Sequence, residues 1–171
     1  PDMHVMLATL CLNEMEWLPR LYEQHRHWPG KVLWCFVEGA DREYAAANPG
    51  MATEEGLSVD GTSEFLQSLA ERDQRVVYVR HGHGQDQDKA QGKCPLRNRY
   101  LEVADGLRPE LVVVLDADEF YPHTAQFEVN RLWQAAPRRV TAMCLRQRHL
   151  WRPPSVADRP LFESEVRGGF W

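Results

Sequence analysis

The stretch Leu111–Tyr121, LVVVLDADEFY, decides the fold predicted for this chain. Its aliphatic part, residues 111–115, predicts a strand buried on both faces, and such strands belong to mostly parallel sheets covered by helices. Asp116 and Asp118 follow where this strand should end. In extended chain the two carboxylates would point the same way, with Cα atoms about 7 Å apart, which suits a divalent metal. A solvated acidic turn is the alternative, because turns are rich in aspartate.

The rest of the chain alternates predicted strands with predicted helices. Strands are expected at 4–12, 31–37, 75–79, 111–115 and 140–145. Helical spacing of apolar residues, or helix start and stop signals, fill the intervals between them, except that residues 42–57 predict an irregular surface insertion. This alternation predicts one doubly wound α/β domain with right-handed crossovers.

Composition restricts the class of protein. The chain has 171 residues, 43% of them hydrophobic and 26% charged, which suits one ordinary core. No apolar run approaches the roughly 20 residues of a membrane-spanning helix, and the N-terminus lacks signal-peptide features. A net charge of -5 argues against long nucleic acid as a partner but allows a single nucleotide. The four widely spaced cysteines predict buried free thiols in a reducing compartment.

Polar residues follow the predicted strands. Asn13 and Glu14 end the first strand, and Glu38 ends the second. The run 58–62, SVDGT, offers helix caps, with plain capping as the simplest interpretation. Basic and polar side chains crowd the first turns of the helix expected at 95–106, namely Lys93, Arg97, Asn98 and Arg99. These cations oppose the helix dipole, so they indicate either an anionic partner or ordinary surface charge.

The histidines do not match a metal motif. His25 and His27 are two apart on a predicted helix and face different directions, so a core edge and a surface position are favoured over ligands. The loop 81–89 holds two histidines and two aspartates, but its spacings favour an ordinary polar loop. The last residues, GGFW at 168–171, resemble mid-structure, and we expect the chain to be truncated there.

Taken in order, the motifs resemble those of a family 2-type glycosyltransferase of the GT-A fold. They are Asn13-Glu14, the acid at Glu38, the Ser-x-Asp-Gly-Thr run, Arg97-Asn98 and the Asp116-Ala117-Asp118 DxD motif. The similarity covers about residues 4–145. It implies a Rossmann-like, mostly parallel sheet flanked by helices, in a single nucleotide-sugar-binding domain over residues 1–171 that is truncated on its acceptor side.

The resemblance also implies a function and a site. The implied reaction is metal-dependent transfer of a sugar from a nucleotide-diphosphate sugar to an acceptor hydroxyl, with inversion, by a cytoplasmic enzyme. The expected donor is a UDP-sugar, and the acceptor is a carbohydrate or another hydroxyl compound. Asp116 and Asp118 would bind Mn²⁺ or Mg²⁺. The residues implied in donor binding are Asn13, Glu14, Glu38, Asp60, Arg97, Asn98 and Asp116, with Glu38 facing the base or ribose. Glu163 and Glu165 are the candidates for the general base.

Three alternatives remain beside an active transferase. The acceptor-side elements are only partly present, so a non-catalytic nucleotide-sugar-binding module of the same fold is the principal one. A sugar nucleotidyltransferase fits less well, because Asn13 and Glu14 stand where a Gly-rich phosphate loop should follow the first strand. A phosphatase with Asp116 as nucleophile also fits poorly, because Glu119 and Phe120 stand where a small hydroxylic or aliphatic residue is expected.

Overall fold

The computed structural model describes residues 2–82 and 92–145, together with the backbone of 147–151 and 162–166. In chain order, the elements are β1 (His4–Cys11), α1 (Leu18–His25), β2 (Lys31–Glu38), α2 (Arg42–Ala47), α3 (Thr62–Arg72), β3 (Val76–Arg80), α4 (Cys94–Leu107), β4 (Leu111–Val114), α5 (His123–Ala135), β5 (Gln147–Trp151) and β6 (Phe162–Val166). The chain forms two compact units, residues 1–130 and 131–171.

Four parallel strands form the sheet of the first unit, in the order β3-β2-β1-β4. β1 pairs along its whole length with β2, from His4 opposite Lys31 to Cys11 opposite Glu38. On its other side, Val5–Ala8 pairs with β4. The predicted α/β class and the parallel sheet flanked by helices are confirmed, and this strand order is compatible with a Rossmann-like fold.

Helices cover both faces of the sheet. On one face, a buried cluster joins β1, β2 and α4; its members are Met6, Ala8, Cys35, Val37, Leu96 and Tyr100. On the opposite face the rings of Trp34 and Phe36 stack at 4.8 Å, and Tyr22 of α1 lies 6.0 Å from Trp34. Each large apolar side chain buried in this way contributes about 1.5–3 kcal/mol to folding. Burial on both faces explains why β1 and β2 are continuous apolar runs.

The boundaries of the elements follow from local chemistry. Pro19 lies in the first turn of α1, where its missing N–H has no helical partner to lose. Asp41 caps α2, since its Oδ1 accepts the Tyr44 N–H at 2.8 Å. Gly30, at φ +107°, turns the chain into β2, and a Cβ there would lie 2.5 Å from the carbonyl oxygen of Met3. Only glycine fits that turn without displacing β1.

The insertion between β2 and α3 is more ordered than the sequence predicted. Residues 42–57 were expected to be irregular, but they begin with the helix α2, so that prediction is wrong in part. The two ends of the insertion are joined, because the Ala40 N–H donates to the Gly56 carbonyl at 2.8 Å. Beside that bond, the Ser58 N–H donates to Glu38 Oε1, also at 2.8 Å. The insertion therefore leaves and re-enters the domain at almost one point.

Two strand predictions need correction. β4 is not buried on both faces: it is the outermost of the described strands on its side of the sheet, and Val114 is 47% exposed. No strand forms at 140–145; β5 begins at Gln147 and pairs antiparallel with β6 in a separate two-stranded sheet. A short apolar run predicts a strand poorly, because pairing depends on a partner that lies elsewhere in the chain.

The helices and the cysteines of the described residues bear on two predictions from composition. None of the helices in the described part of the chain has the length and apolar character needed to cross a membrane. Cys11 and Cys35 are buried as expected, and burial raises the pKa of both thiols. Cys94 and Cys144 are exposed, so the prediction that all four thiols are buried is wrong.

Candidate functional site

A crevice is expected where the direction of strand addition reverses. From β1 the chain adds β2 and then β3 on one side, and it returns through α4 to place β4 on the other side of β1. In open α/β sheets, ligands bind outside the carboxyl ends of the strands at such a switch point. Asn13 and Glu14 follow the end of β1, and Asp116 follows the end of β4. The fold therefore brings two of the predicted motifs to one edge of the sheet.

The Ser-x-Asp-Gly-Thr run holds the loop that follows β1. Three side-chain oxygens of the run accept hydrogen bonds from three consecutive backbone N–H groups: Ser58 Oγ from Asn13 (3.0 Å), Thr62 Oγ1 from Glu14 (3.0 Å) and Asp60 Oδ2 from Met15 (2.9 Å). We call these three side chains the SDT bracket. The sequence suggested that these side chains cap the helix that follows them. In the structure they also accept hydrogen bonds from the loop after β1.

Asp60 is the anionic member of the SDT bracket. Besides the Met15 N–H, it accepts the Thr62 N–H on Oδ1 at 3.0 Å. Burial alone would raise the pKa of Asp60, but hydrogen bonds from Met15 and Thr62 outweigh it and hold this pKa below its ordinary value. Both carboxylate oxygens therefore already serve the protein, and any contact with a donor would be additional to this structural role.

Asn13 takes an unusual backbone conformation and a central position. Its φ is +56°, in the left-handed region that asparagine tolerates better than most residues. Its side chain donates from Nδ2 to the Met51 carbonyl at 2.6 Å and accepts the Val59 N–H on Oδ1 at 2.8 Å. Asn13 thus links the loop after β1 to both ends of segment 51–59. Predicted as a donor-binding residue, it is also a structural link.

Glu14 lies among the other carboxylates of the site. Burial, followed by the negative charges of Asp118, Asp60 and Asp116, raises its pKa to about 6, while the nearby cation of Lys93 opposes this shift. Such charge effects fall off with distance, so these groups lie near Glu14. The four acids come from three segments far apart in sequence, and the fold collects them at one place. We call this group the acidic crevice: Glu14, Asp60, Asp116 and Asp118.

The DxD motif forms a tight turn rather than an extended segment. The Glu119 N–H donates to the Asp116 carbonyl at 3.0 Å, and the Asp116 N–H donates to Glu119 Oε2 at 3.0 Å. The extended conformation predicted for the two aspartates is therefore wrong. Ala117 is buried between them, and both aspartates are exposed. A turn presents both carboxylates at the surface of the crevice, so the change of geometry does not remove them from the site.

A metal would find few protein ligands here. Within the residues that the structure describes, no group of three or more histidine, cysteine, aspartate or glutamate side chains is arranged to hold a metal ion. Mg²⁺ commonly uses only one or two carboxylates and takes its other ligands from phosphate and water. The carboxylate oxygens of Asp116 and Asp118 have the chemistry that Mg²⁺ and Mn²⁺ prefer, and they fit that sparse mode.

Two cations of α4 lie near the acids of the crevice. Lys93 is the N-cap residue of α4 and lowers the pKa of Glu14. Burial raises the pKa of Tyr100, which the charge of Arg97 lowers and that of Asp116 raises, so Arg97 and Asp116 are both near this ring. Asn98 is exposed on the same helix. The predicted basic residues and the predicted acids therefore belong to one region of the first unit.

Glu38 occupies a different environment from the other predicted residues. It is buried, and three protein groups donate to its carboxyl oxygens. The Ser58 N–H and the Ser63 hydroxyl donate to Oε1 at 2.8 and 2.6 Å, and the Tyr78 hydroxyl donates to Oε2. Burial raises the pKa of Tyr78, and this hydrogen bond raises it further. The structure thus places Glu38 as an acceptor inside the domain that joins the SDT bracket to β3.

The remaining predicted residues lie partly outside the described residues. Glu163 and Glu165 lie in β6, where their backbones pair with Leu150 and Arg148 of β5, and their side chains are outside the described residues. Of the polar loop predicted not to bind metal, His81 is described and 83–89 lie outside the described residues. His81 is buried, and its Nδ1 accepts a hydrogen bond from Arg99 Nε at 3.3 Å.

His25 positions part of the candidate site, a role that the sequence did not reveal. It is buried, as the core interpretation predicted, and its Nδ1 lies 2.9 Å from the Leu21 carbonyl. Its Nε2 accepts the Tyr121 N–H at 2.9 Å, which requires the neutral ring with its proton on Nδ1. His25 thereby fixes the segment that follows the DxD turn. Helical spacing could place it in the core but could not show which backbone group it would bind.

Acid should weaken this anchor. Burial, together with the nearby His123, lowers the pKa of His25 despite the opposing bond to Leu21. The unfolded chain then binds a proton near pH 6.5 that the folded chain excludes, so this contribution to stability is complete above about pH 6.5 and is lost as the pH falls. We expect urea unfolding of the wild type to show an added slope of up to about 1.4 kcal/mol per pH unit below that point.

Two variants separate this effect from general acid sensitivity. His25→Phe should be less stable at neutral pH and should lose the added slope, while His27→Gln, at an exposed position, should keep it. An unchanged slope in His25→Phe would assign the acid sensitivity to other groups.

Comparison with known proteins gives no match, either to a protein-family model or to a curated protein. The resemblance to family 2-type glycosyltransferases stays a prediction from the motifs.

Proposed function

We propose that this chain is a metal-dependent glycosyltransferase that moves a sugar from a nucleotide-diphosphate sugar to an acceptor hydroxyl. The observation that carries the proposal is the convergence of the acidic crevice at the switch point of a parallel sheet. Carboxylates gathered in this way repel one another: after burial, the charges of Asp118, Asp60 and Asp116 contribute to the raised pKa of Glu14, and a cation would relieve that repulsion.

Each side of the crevice has a distinct task in this reaction. Asp116 and Asp118 would hold Mn²⁺ or Mg²⁺, which would neutralise charge on the leaving diphosphate. Lys93 and Arg97 would meet the diphosphate from the α4 side as direct cationic partners. The SDT bracket keeps the backbone after β1 in one conformation, so that Glu14 is positioned before the substrate binds.

An inverting transfer also needs a base for the acceptor. The acceptor hydroxyl would give its proton to a carboxylate as its oxygen bonds to the anomeric carbon, and the bond from that carbon to the diphosphate oxygen would break in the same step. Glu163 and Glu165 stay the predicted bases. The second candidate function is a nucleotide-sugar-binding module without transfer. It is favoured by the fact that every donor-side candidate lies in residues 1–130, whereas both predicted bases lie in 131–171.

Thermal unfolding tests the donor site directly. We expect UDP or GDP to raise the midpoint only when Mn²⁺ is present. At about 100 times its dissociation constant a ligand adds about 2.7 kcal/mol, which is about 5 to 10 °C for a chain of this length. Asp118→Ala should abolish the shift. Asp105→Ala, which removes an exposed carboxylate of α4, is the matched control and should keep it.

The outcomes separate the two candidate functions. A shift that survives in Asp118→Ala, or no shift with either nucleotide, contradicts a metal-dependent donor site. With the shift established, release of UDP from UDP-glucose or of GDP from GDP-mannose distinguishes a transferase from a binding module. Turnover lost in Glu163→Gln or Glu165→Gln, with the nucleotide shift intact, would identify the base.

A further inference from the structure

Two aromatic side chains lie on two of the segments that carry acids of the acidic crevice. Trp17 lies three residues after Glu14, and Phe120 lies two residues after Asp118. Their ring centroids are 6.2 Å apart, and the ring planes are inclined at 63°. We call them the aromatic pair. The edge-to-face arrangement is one of the favourable geometries for two rings, so the pair supports its own conformation.

The aromatic pair is held in place by the surrounding backbone. The Trp17 N–H donates to the Glu14 carbonyl at 2.9 Å, which ties this residue to the crevice. The ring of Phe120 lies 6.3 Å from that of His25, and His25 in turn fixes the following peptide at Tyr121. A rigid apolar surface loses little conformational entropy when a ligand binds.

The pair is also accessible. Phe120 is 41% exposed, and Trp17 is partly buried. A single exposed apolar side chain is ordinary on a protein surface. Two rings beside several carboxylates form a surface that is partly apolar and partly acidic. The rings offer flat faces with partial negative charge, and the carboxylates offer strong hydrogen-bond acceptors. Binding sites for small molecules combine these elements, an apolar wall and a few placed polar groups.

A pyranose ring likewise combines an apolar face with a polar rim. One face presents C–H groups with slight positive charge, which suit the face of an aromatic ring, and the rim carries hydroxyl donors for carboxylates. A planar nucleobase would stack as well, but it carries no rim of hydroxyls. We infer that the aromatic pair is a pyranose subsite, on which the sugar stacks with its hydroxyls turned toward the acids of the crevice.

This inference rests on the proposed function for the reaction that the sugar undergoes, but binding of a free pyranoside requires no nucleotide. The probes are methyl glycosides of glucose, galactose, mannose and N-acetylglucosamine, with sorbitol as a hydroxyl-rich compound that has no ring. Saturation-transfer NMR on the whole chain reports which ring protons contact the protein. We expect at least one glycoside, and not sorbitol, to give a saturable signal at millimolar concentration.

Variants of the pair locate that signal. Phe120→Ala should weaken glycoside binding at least fivefold, and Phe120→Tyr should restore it by keeping the flat ring. Phe127→Ala removes an aromatic side chain that is 64% exposed on α5 and should leave binding unchanged. The Mn²⁺-dependent nucleotide shift, if kept in Phe120→Ala, shows that this variant is folded. For a variant without that shift, its unfolding midpoint serves the same purpose.

Each result decides something. Equal glycoside binding in the wild type and Phe120→Ala, or no glycoside binding at all, overturns the subsite whether or not nucleotide binds. Glycoside binding that depends on Phe120 without any nucleotide shift supports the subsite and contradicts the donor site. When both bind, a signal that survives saturating UDP-glucose and GDP-mannose assigns the subsite to the acceptor, and a signal that either abolishes assigns it to the transferred sugar.

Discussion

Glu38→Ala is expected to lower the free energy of unfolding by about 3 kcal/mol or more, since each buried donor left without an acceptor costs about 1–3 kcal/mol. Three donors from separate segments lose their acceptor together: the Ser58 N–H, the Ser63 hydroxyl and the Tyr78 hydroxyl. The corresponding fall in the thermal midpoint is about 6 to 12 °C. Glu38→Gln keeps one acceptor oxygen and should lose less.

The control for Glu38 is a variant that removes the same functional group at the surface. Glu54 is exposed in the insertion, and Glu54→Gln should change stability by less than about 0.5 kcal/mol. The resemblance to glycosyltransferases instead implies that Glu38 faces the base or ribose of the donor. If Glu38→Gln kept the wild-type midpoint but weakened nucleotide binding, the interpretation as an internal acceptor would be contradicted, and direct contact with the donor would be favoured.

Gly39→Ala is the second change expected to have a large effect. A Cβ at Gly39 would lie 2.4 Å from the His81 carbonyl oxygen and 3.1 Å from Leu96 Cδ2. The nearer atom belongs to the backbone at the end of β3, and it is held there because the His81 N–H donates to the Glu38 carbonyl at 2.8 Å. Relief of the clash requires β2 and β3 to separate at the edge that carries the site, at a cost of about 2 to 3 kcal/mol.

Gly106→Ala provides the matched control for this clash. Gly106 lies in α4, and a Cβ there would meet no atom within 4 Å. Alanine favours the helix by about 0.5–1 kcal/mol relative to glycine, so this variant should be slightly more stable than the wild type. Urea unfolding of both variants measures the difference. Equal stability of Gly39→Ala and the wild type would show that the strand ends can move apart freely.

The sequence predicted the sheet well because the signal is repeated along each strand. β1 and β2 are continuous apolar runs, and such runs are typical of strands that are buried on both faces of a sheet. The edge strand β4 carries a similar run, yet Val114 is exposed. Apolar character alone cannot distinguish a central strand from an outer one, because that difference depends on which strands pair.

The resemblance implied that Asn13, Glu14, Asp60 and the DxD aspartates belong to one site, and in the structure these residues lie near one another. Their part in donor binding stays a prediction. Their roles depend on contacts between residues about 45 positions apart, such as that between Ser58 and the Asn13 N–H. No local pattern predicts that a helix cap will serve a different segment, so the SDT bracket and the role of Glu38 were missed.

The bond between Ala40 and Gly56 has a consequence for how this domain could be altered. A stretch whose two ends already meet can be shortened, lengthened or exchanged at small entropic cost, since doubling the length of a closed loop adds only about 0.6 kcal/mol. Residues 41–55 can in this sense be exchanged as one unit. Its replacement by a short turn would keep the bond between Glu38 and Ser58 but would remove the Met51 carbonyl that accepts from Asn13. The domain therefore offers a natural position for grafting a new surface next to the crevice without rebuilding the sheet.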